Sequence, residues 1–252
     1  MNRNLVCLLR LLVDSLPKKI RDSQLLFLFA RIIFKLPKSL YNFRDDYKKG
    51  RIKNLAKYYS INSTFDLPQS SYDTDTNSFH LNLIKRYVIQ TRPKSLLDVG
   101  CGTGHLIQYL NHNSFDSRLV GIDFNIPKFS QSTSISRNNN TINYVQADVV
   151  EYISSILSNS FDLVICAHFL EHVEDPKAII NEIRRISRRS LILICPLEKP
   201  FRWGFNYHLH FFQDNQSFIE MVLSEKTNHN NYITHQRLGD SMYIEHTPFP
   251  IN

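Results

Sequence analysis

Gly100, Gly102 and Gly104 fall within five residues, directly after the apolar run SLLDV and before HLIQYL. The whole chain of 252 residues has only seven glycines, so their clustering is a placed feature. A glycine-rich turn between a strand and its helix exposes backbone amides and a helix N-terminus, and an open α/β sheet receives its ligand there. Dinucleotide sites space these glycines as G-x-G-x-x-G, whereas here the pattern is G-x-G-x-G. Asp98, at the end of the preceding strand, offers a carboxylate to an ammonium group. Asp123, in VGIDF, stands 19 residues beyond Gly104, where an acid for ribose hydroxyls belongs. Phe124 beside it can cover an adenine face, and Ala147-Asp148 after the third strand reach the adenine edge. Together these residues suit a nucleoside joined to an amino acid better than a pyrophosphate. A tight turn in some other nucleotide binder is the competing reading.

A second group of chemistry-bearing residues, His168-Phe-Leu-Glu171-His172, follows the run FDLVICA. In a helix, positions i, i+3 and i+4 share one face, which here would look into the cleft beyond the glycine turn. Three roles compete for it. His172 can act as a general base near neutral pH, with Glu171 and His210 as its companions in proton transfer. Alternatively His168, Glu171 and His172, with His208 or His210, can hold a divalent metal that orients hydroxyl groups. In the third role Glu171 and His172 cap a helix or shape the pocket. Downstream, KPFRWGFNYHLHFF is dense in aromatic and histidine residues, and Trp203, Tyr207, His208 and His168 are the candidates for lining a substrate pocket. Several phenylalanines in that run are equally suited to packing it onto the sheet.

The elements that must position these groups follow from the pattern. From Phe79 onward short apolar runs alternate with amphipathic ones. Strands are expected at 95–99, 118–123, 142–146, 161–167 and 190–195, with two closing strands near 231–237 and 241–246. Helices are expected at 79–90, 104–112, around 127–137, and at 149–157, 175–187 and 214–226. Alternating β and α units imply a parallel, doubly wound sheet of seven strands with right-handed crossovers, and the last two strands add an antiparallel edge. Three regions result: a basic helical extension over 1–60, a polar loop over 61–78 and the α/β domain over 79–252.

Charge divides along the same line. Residues 1–60 hold 14 Lys/Arg against 4 Asp/Glu, whereas residues 61–252 hold 16 against 19. Basicity therefore belongs to the extension and is no argument for nucleic acid at the cleft. Within the extension, 5–13 and 24–35 have dense apolar faces edged by Lys and Arg, and Pro17 and Pro37 punctuate them; residues 41–60 continue as a polar basic segment. This arm suits an anionic membrane surface, capture of a lipid-linked or polyanionic substrate, a lid over the cleft, or an ordinary cap on the domain. Cys7, Cys101, Cys166 and Cys195 form no C-x-x-C pair, so neither a disulfide framework nor a zinc site is suggested, and a reducing, cytoplasmic setting fits. No secretory signal is expected, because Arg10 interrupts the first apolar run, and no run approaches a membrane span.

LLDVGCGTG, GID, QAD, FDLVICAHFLEHVEDP and LILICP resemble the class I S-adenosylmethionine-dependent methyltransferase family, within the broad small-molecule group that includes ubiquinone-biosynthesis O-methyltransferases. The resemblance runs over residues 79–250 and implies a Rossmann-like fold. It implies that Asp98, Gly100, Gly102, Gly104, Asp123 and Asp148 bind S-adenosylmethionine, with Cys101, Phe124, Val149 and Ala167 beside them. The product would be S-adenosylhomocysteine. IRRISRRSLIL departs from the family, which usually has a Pro-Gly turn before that strand. HFLEH also resembles the ExxEH metal motif of small-RNA 2′-O-methyltransferases, but His168 replaces the first Glu. That replacement disfavours magnesium, which prefers oxygen ligands, and no metal is assigned. The reaction implied is methyl transfer to an oxygen or nitrogen of a small molecule, with glycan, lipid-linked or quinone-like acceptors leading. RNA methylation is disfavoured because the domain is net acidic. A catalytically silent cofactor-binding partner protein is the rival from another class.

Overall fold

The computed structural model describes residues 11–34, 39–62, 76, 78–111, 117–126, 142–200, 206–224, 232–237 and 239–246. The arm contains α1 (Lys18–Arg21), α2 (Gln24–Phe34), α3 (Ser39–Lys48) and α4 (Leu55–Asn62). After it come α5 (Ser78–Thr91), β1 (Ser95–Val99), α6 (His105–Asn111), β2 (Arg118–Asp123), β3 (Ile142–Gln146), α7 (Val149–Ser155) and β4 (Phe161–Ala167). A single 3₁₀ turn, Leu170–His172, leads to α8 (Pro176–Ile186), β5 (Ser187–Pro196), α9 (Asn215–Leu223), β6 (Tyr232–Arg237) and β7 (Asp240–His246). The helix expected around 127–137 lies outside the described residues.

The strands form one seven-stranded sheet in the order β3-β2-β1-β4-β5-β7-β6, in which β7 runs antiparallel to both of its neighbours. The expected doubly wound sheet with an antiparallel edge is therefore present. β1 and β4 are apolar almost without interruption because helices cover both faces. On one face Leu97, Val99, Val164 and Leu193 pack against α7, α8 and α9; on the other Leu96, Ile165, Ile192 and Ile194 pack against α5 and α6. Helix α8 shows the local logic. Asp175 caps it, its Oδ1 accepting from Ala178 N at 3.0 Å, Pro176 takes the first turn, and Ile179, Ile180, Ile183 and Ile186 form the buried stripe.

One refinement of the sequence reading and one departure from it have physical causes. The basic segment at 41–60 folds into α3 and α4, because Leu40, Phe43 and Tyr59 bury against Phe27 and Tyr207 in a third apolar cluster. β5 begins at Ser187, three residues earlier than expected and directly after α8. Its start is fastened to the neighbouring strand: Asp162, whose side chain is buried, accepts from Arg188 Nε at 2.8 Å and from the Lys94 amide at 2.8 Å. Burial alone would raise the Asp162 carboxyl, but the Arg188 and Lys94 hydrogen bonds outweigh it and hold the group below its ordinary range. A carboxyl with a lowered native pKa stabilises the fold above the unfolded value, and that contribution is lost as pH falls through the folded one. Arg188→Ala is therefore expected to cost about 1–3 kcal/mol at neutral pH, since Arg188 is half exposed and its pairing is partly screened. Urea denaturation should show this deficit shrinking as pH is lowered into the acid range. A deficit independent of pH would contradict the assignment.

Candidate active site

The strand order reverses at β1, which lies between β2 and β4, so a crevice opens at the C-terminal ends of these strands. Gly100 and Gly104 adopt φ of 72° and 75°, in the left-handed region. A Cβ at Gly100 would lie 2.6 Å from the Phe169 side chain, and one at Gly104 would lie 2.5 Å from Tyr144. Both positions therefore need glycine for conformation and for space. The amides of Gly100 and Cys101 donate to Ile122 O at 2.9 Å, and the Gly102 amide donates to Asp123 Oδ2 at 2.9 Å. Asp123 Oδ1 accepts from Asn125 N at 3.0 Å, so its carboxylate is held at the tip of β2.

The remaining cofactor candidates sit around this turn. Asp98 is buried at the end of β1, and burial together with Asp98 and Asp123 pushes the Cys101 thiol well up. Asp148 caps α7, its Oδ1 accepting from Val150 N at 2.9 Å and Glu151 N at 3.3 Å; Val149 is buried as the first residue of that helix. Ala167 ends β4, and Phe124 packs against the arm's aromatic cluster.

The segment after β4 is built differently from the helical face expected of HFLEH. His168 has φ of 55° and lies outside the 3₁₀ turn, so its side chain and that of His172 point to different partners. His168 Nδ1 is 3.6 Å from Glu171 Oε1 and its Nε2 is 3.9 Å from Asp240 Oδ2. His172 Nδ1 donates to Tyr207 O at 3.2 Å, while its ring stands edge-on to His208 at 4.7 Å. Burial, reinforced by His208, lowers the His172 pKa to about 3. His208 Nδ1 is bonded to Glu198 Oε1, and its Nε2 lies 4.0 Å from Glu171 Oε1.

An outer chain of hydrogen bonds fixes these groups. Asn206 Nδ2 donates to both Glu198 oxygens at 3.1 Å, and Arg44 Nη2 donates to Asn206 Oδ1 at 2.7 Å. Arg44 also donates from Nε to His208 O at 3.1 Å and lies 4.6 Å from the centre of the Phe211 ring. Its pKa is lowered to about 10 by burial, against the pull of Glu198. The Tyr59 hydroxyl sits 3.0 Å from His172 O and 2.9 Å from Tyr207 O.

Of the three proton-transfer candidates, Glu171 and His172 therefore converge, whereas His210 Nε2 is tied to Val173 O at 2.9 Å. Tyr207 and His208 line the same region, and Trp203 lies outside the described residues. One ligand atom each from Glu171, His172 and His208 lie within 4.8 Å of one another. Two imidazoles and a carboxylate suit a borderline ion such as zinc better than magnesium.

The family model described as "Methyltransferase domain" matches residues 97–195, from β1 to β5. Residues 97–195 carry a methyltransferase domain of the class I S-adenosylmethionine-dependent family. A ubiquinone biosynthesis O-methyltransferase of Idiomarina loihiensis is 29% identical over 145 residues, covering 55% of this chain and 57% of that protein. The corresponding protein of Psychrobacter cryohalolentis is 36% identical over 91 residues, 35% of this chain and 34% of that one. The chain thus spans roughly a third to three fifths of the length of these curated relatives. Among solved structures, the N-methyltransferase NodS of Bradyrhizobium japonicum, in complex with S-adenosylhomocysteine, has a TM-score of 0.53 at 16% identity. That similarity covers 77% of this chain and 99% of NodS, and it speaks to the fold.

Around the methyltransferase domain's cleft, sequence reasoning missed Phe169 and Tyr144 over the glycine turn, and Arg44, Tyr59, Glu198 and Asn206 behind the histidines. Glu198, the second residue after β5, was the one with a readable signal, since ligand-facing groups follow strand ends. A lowered histidine pKa means the unfolded chain binds the proton more readily, so His172 favours folding above its unfolded value and opposes it as pH falls below that value. In chelator-treated protein, ¹⁵N imidazole shifts should report His172 as the neutral Nδ1–H tautomer down to pH ~5, because its folded pKa lies well below the ordinary ~6.5. A midpoint near the ordinary value would contradict the buried placement.

Proposed function

We propose that the protein transfers the methyl group of S-adenosylmethionine to a hydroxyl oxygen of a small, quinone-like acceptor. The observation that carries this reading is the glycine turn closed on the Asp123 carboxylate at the strand-order reversal, with Glu171, His172 and His208 converging in the segments that follow β4 and β5. Asp98 would take the cofactor's ammonium group and Asp123 its ribose hydroxyls, with Asp148 and Phe124 at the adenine. The acceptor oxygen attacks the methyl carbon in line as the carbon–sulfur bond breaks, leaving S-adenosylhomocysteine. Positioning and exclusion of water supply much of the rate.

The hydroxyl proton needs a receiver. His172 is a poor one, because burial holds its pKa near 3. His208 is better placed, its ring oriented through Nδ1 by Glu198 so that Nε2 faces Glu171. A second reading draws on the convergence of Glu171, His172 and His208, which could hold a divalent ion that acidifies the acceptor hydroxyl when bound. The relatives named for ubiquinone biosynthesis favour an oxygen acceptor and a quinone-like one.

With labelled S-adenosylmethionine and dihydroxylated aromatic acceptors, methyl transfer is expected, and His208→Ala should lower kcat about 10²- to 10⁴-fold. Asp123→Ala should weaken S-adenosylhomocysteine binding by about 1.5–3 kcal/mol, the worth of hydrogen bonds to a charged group. Activity that survives chelation favours proton transfer by His208, and activity abolished by chelation and restored by a divalent ion favours the metal. Cofactor binding without turnover on any hydroxylated acceptor would contradict the proposal.

A further inference from the structure

Helix α2 is apolar on two faces. Its inner face buries Phe27, at 1% exposure, with its ring 5.2 Å from Tyr41, in the cluster that holds Leu40, Phe43, Tyr59 and Tyr207. Its outer face carries Leu25, Leu28, Phe29 and Ile32 at the i, i+3, i+4 and i+7 positions of one stripe. Leu25, Phe29 and Ile32 are 78%, 63% and 79% exposed, and Leu12 and Ile20, earlier in the chain, are also exposed. A surface helix normally turns polar residues outward, so this stripe calls for an occupant.

Charge says which one. Lys18 and Lys19 are exposed on α1, and Lys48, Lys53 and Lys57 are exposed on or beside α3 and α4. Residues 1–60 hold 14 Lys/Arg against 4 Asp/Glu, while the remaining chain holds 16 against 19 and so is only weakly acidic. A second copy of the chain therefore brings little complementary charge. An anionic bilayer brings phosphates for the amines and an apolar boundary for the stripe.

We infer that α2 is an interfacial helix that seats the protein on an anionic membrane surface, with Leu25, Phe29 and Ile32 entering the headgroup boundary. No helix among the described residues is long and apolar enough to cross a membrane. The inner side of the same helix packs in the cluster with Tyr207, whose carbonyl holds His172. Docking thus brings the histidine side of the crevice toward the bilayer, where an amphiphilic acceptor partitions. This last step rests on the proposed function.

The test is flotation of the full-length chain with vesicles of phosphatidylcholine alone or with a third phosphatidylglycerol. Binding to the anionic vesicles should exceed binding to neutral ones by about tenfold and fall with salt. The triple variant Leu25→Glu, Phe29→Glu, Ile32→Glu should lose at least about tenfold in vesicle binding while retaining S-adenosylhomocysteine binding by calorimetry, since the stripe is remote from the buried face. The inference is overturned if the wild-type chain does not float with anionic vesicles, or if the triple variant floats equally well. It is also overturned if sedimentation equilibrium shows wild-type self-association that the triple variant abolishes, because a second copy then covers the stripe. Loss of cofactor binding in wild type and variant alike would defeat the proposed function and leave the membrane result standing.

Discussion

The left-handed turn after β1 is the constraint on which the site depends. At Gly100 and Gly104 the chain reverses with φ above 70° directly beneath Phe169 and Tyr144, where a Cβ has no room. Once reversed, it delivers the Gly102 amide to Asp123 and so locks the tips of β1 and β2 together. A non-glycine residue in this conformation would carry about 1–2 kcal/mol of backbone strain before any steric clash is counted. The parallel sheet supplies the crevice, and the turn shapes its floor.

The opposite wall belongs to the arm as much as to the sheet. Arg44, from α3, reaches 162 residues along the chain to Asn206, and Asn206 holds Glu198, which in turn holds His208. Buried polar chains of this kind specify one geometry when every member is partnered, and removing one member leaves a buried charge uncompensated. Tyr59, from α4, adds a hydroxyl at the carbonyls of His172 and Tyr207. The basic extension is thus physically continuous with the histidine side of the crevice.

Local pattern made much of this legible. SLLDV, RLVGID, INYVQ and FDLVICA read as strands with the bounds observed, because each is short, apolar and closed by a turn. The glycines and the strand-end acids were legible for the same reason: their positions are set by a single βα unit. What stayed hidden depends on contacts between distant segments. In SLYNFRDDYK only Leu40 and Phe43 are buried, too thin a stripe to announce a helix, and its burial depends on Tyr207. The left-handed backbone of His168, which separates it from His172, has no sequence signature because histidine adopts φ above zero only in context. Glu198 and Arg44 became a pair of anchors for one histidine only when β5, α3 and the segment after Asn206 met.

Isothermal titration calorimetry of the wild-type chain with S-adenosylhomocysteine, set beside NAD as a competitor, tests the central claim most directly. One-to-one binding that NAD does not displace is the result expected of a turn spaced for an amino-acid-linked nucleoside. Absence of heat with a folded, glycine-intact protein, or displacement by NAD, would contradict the account.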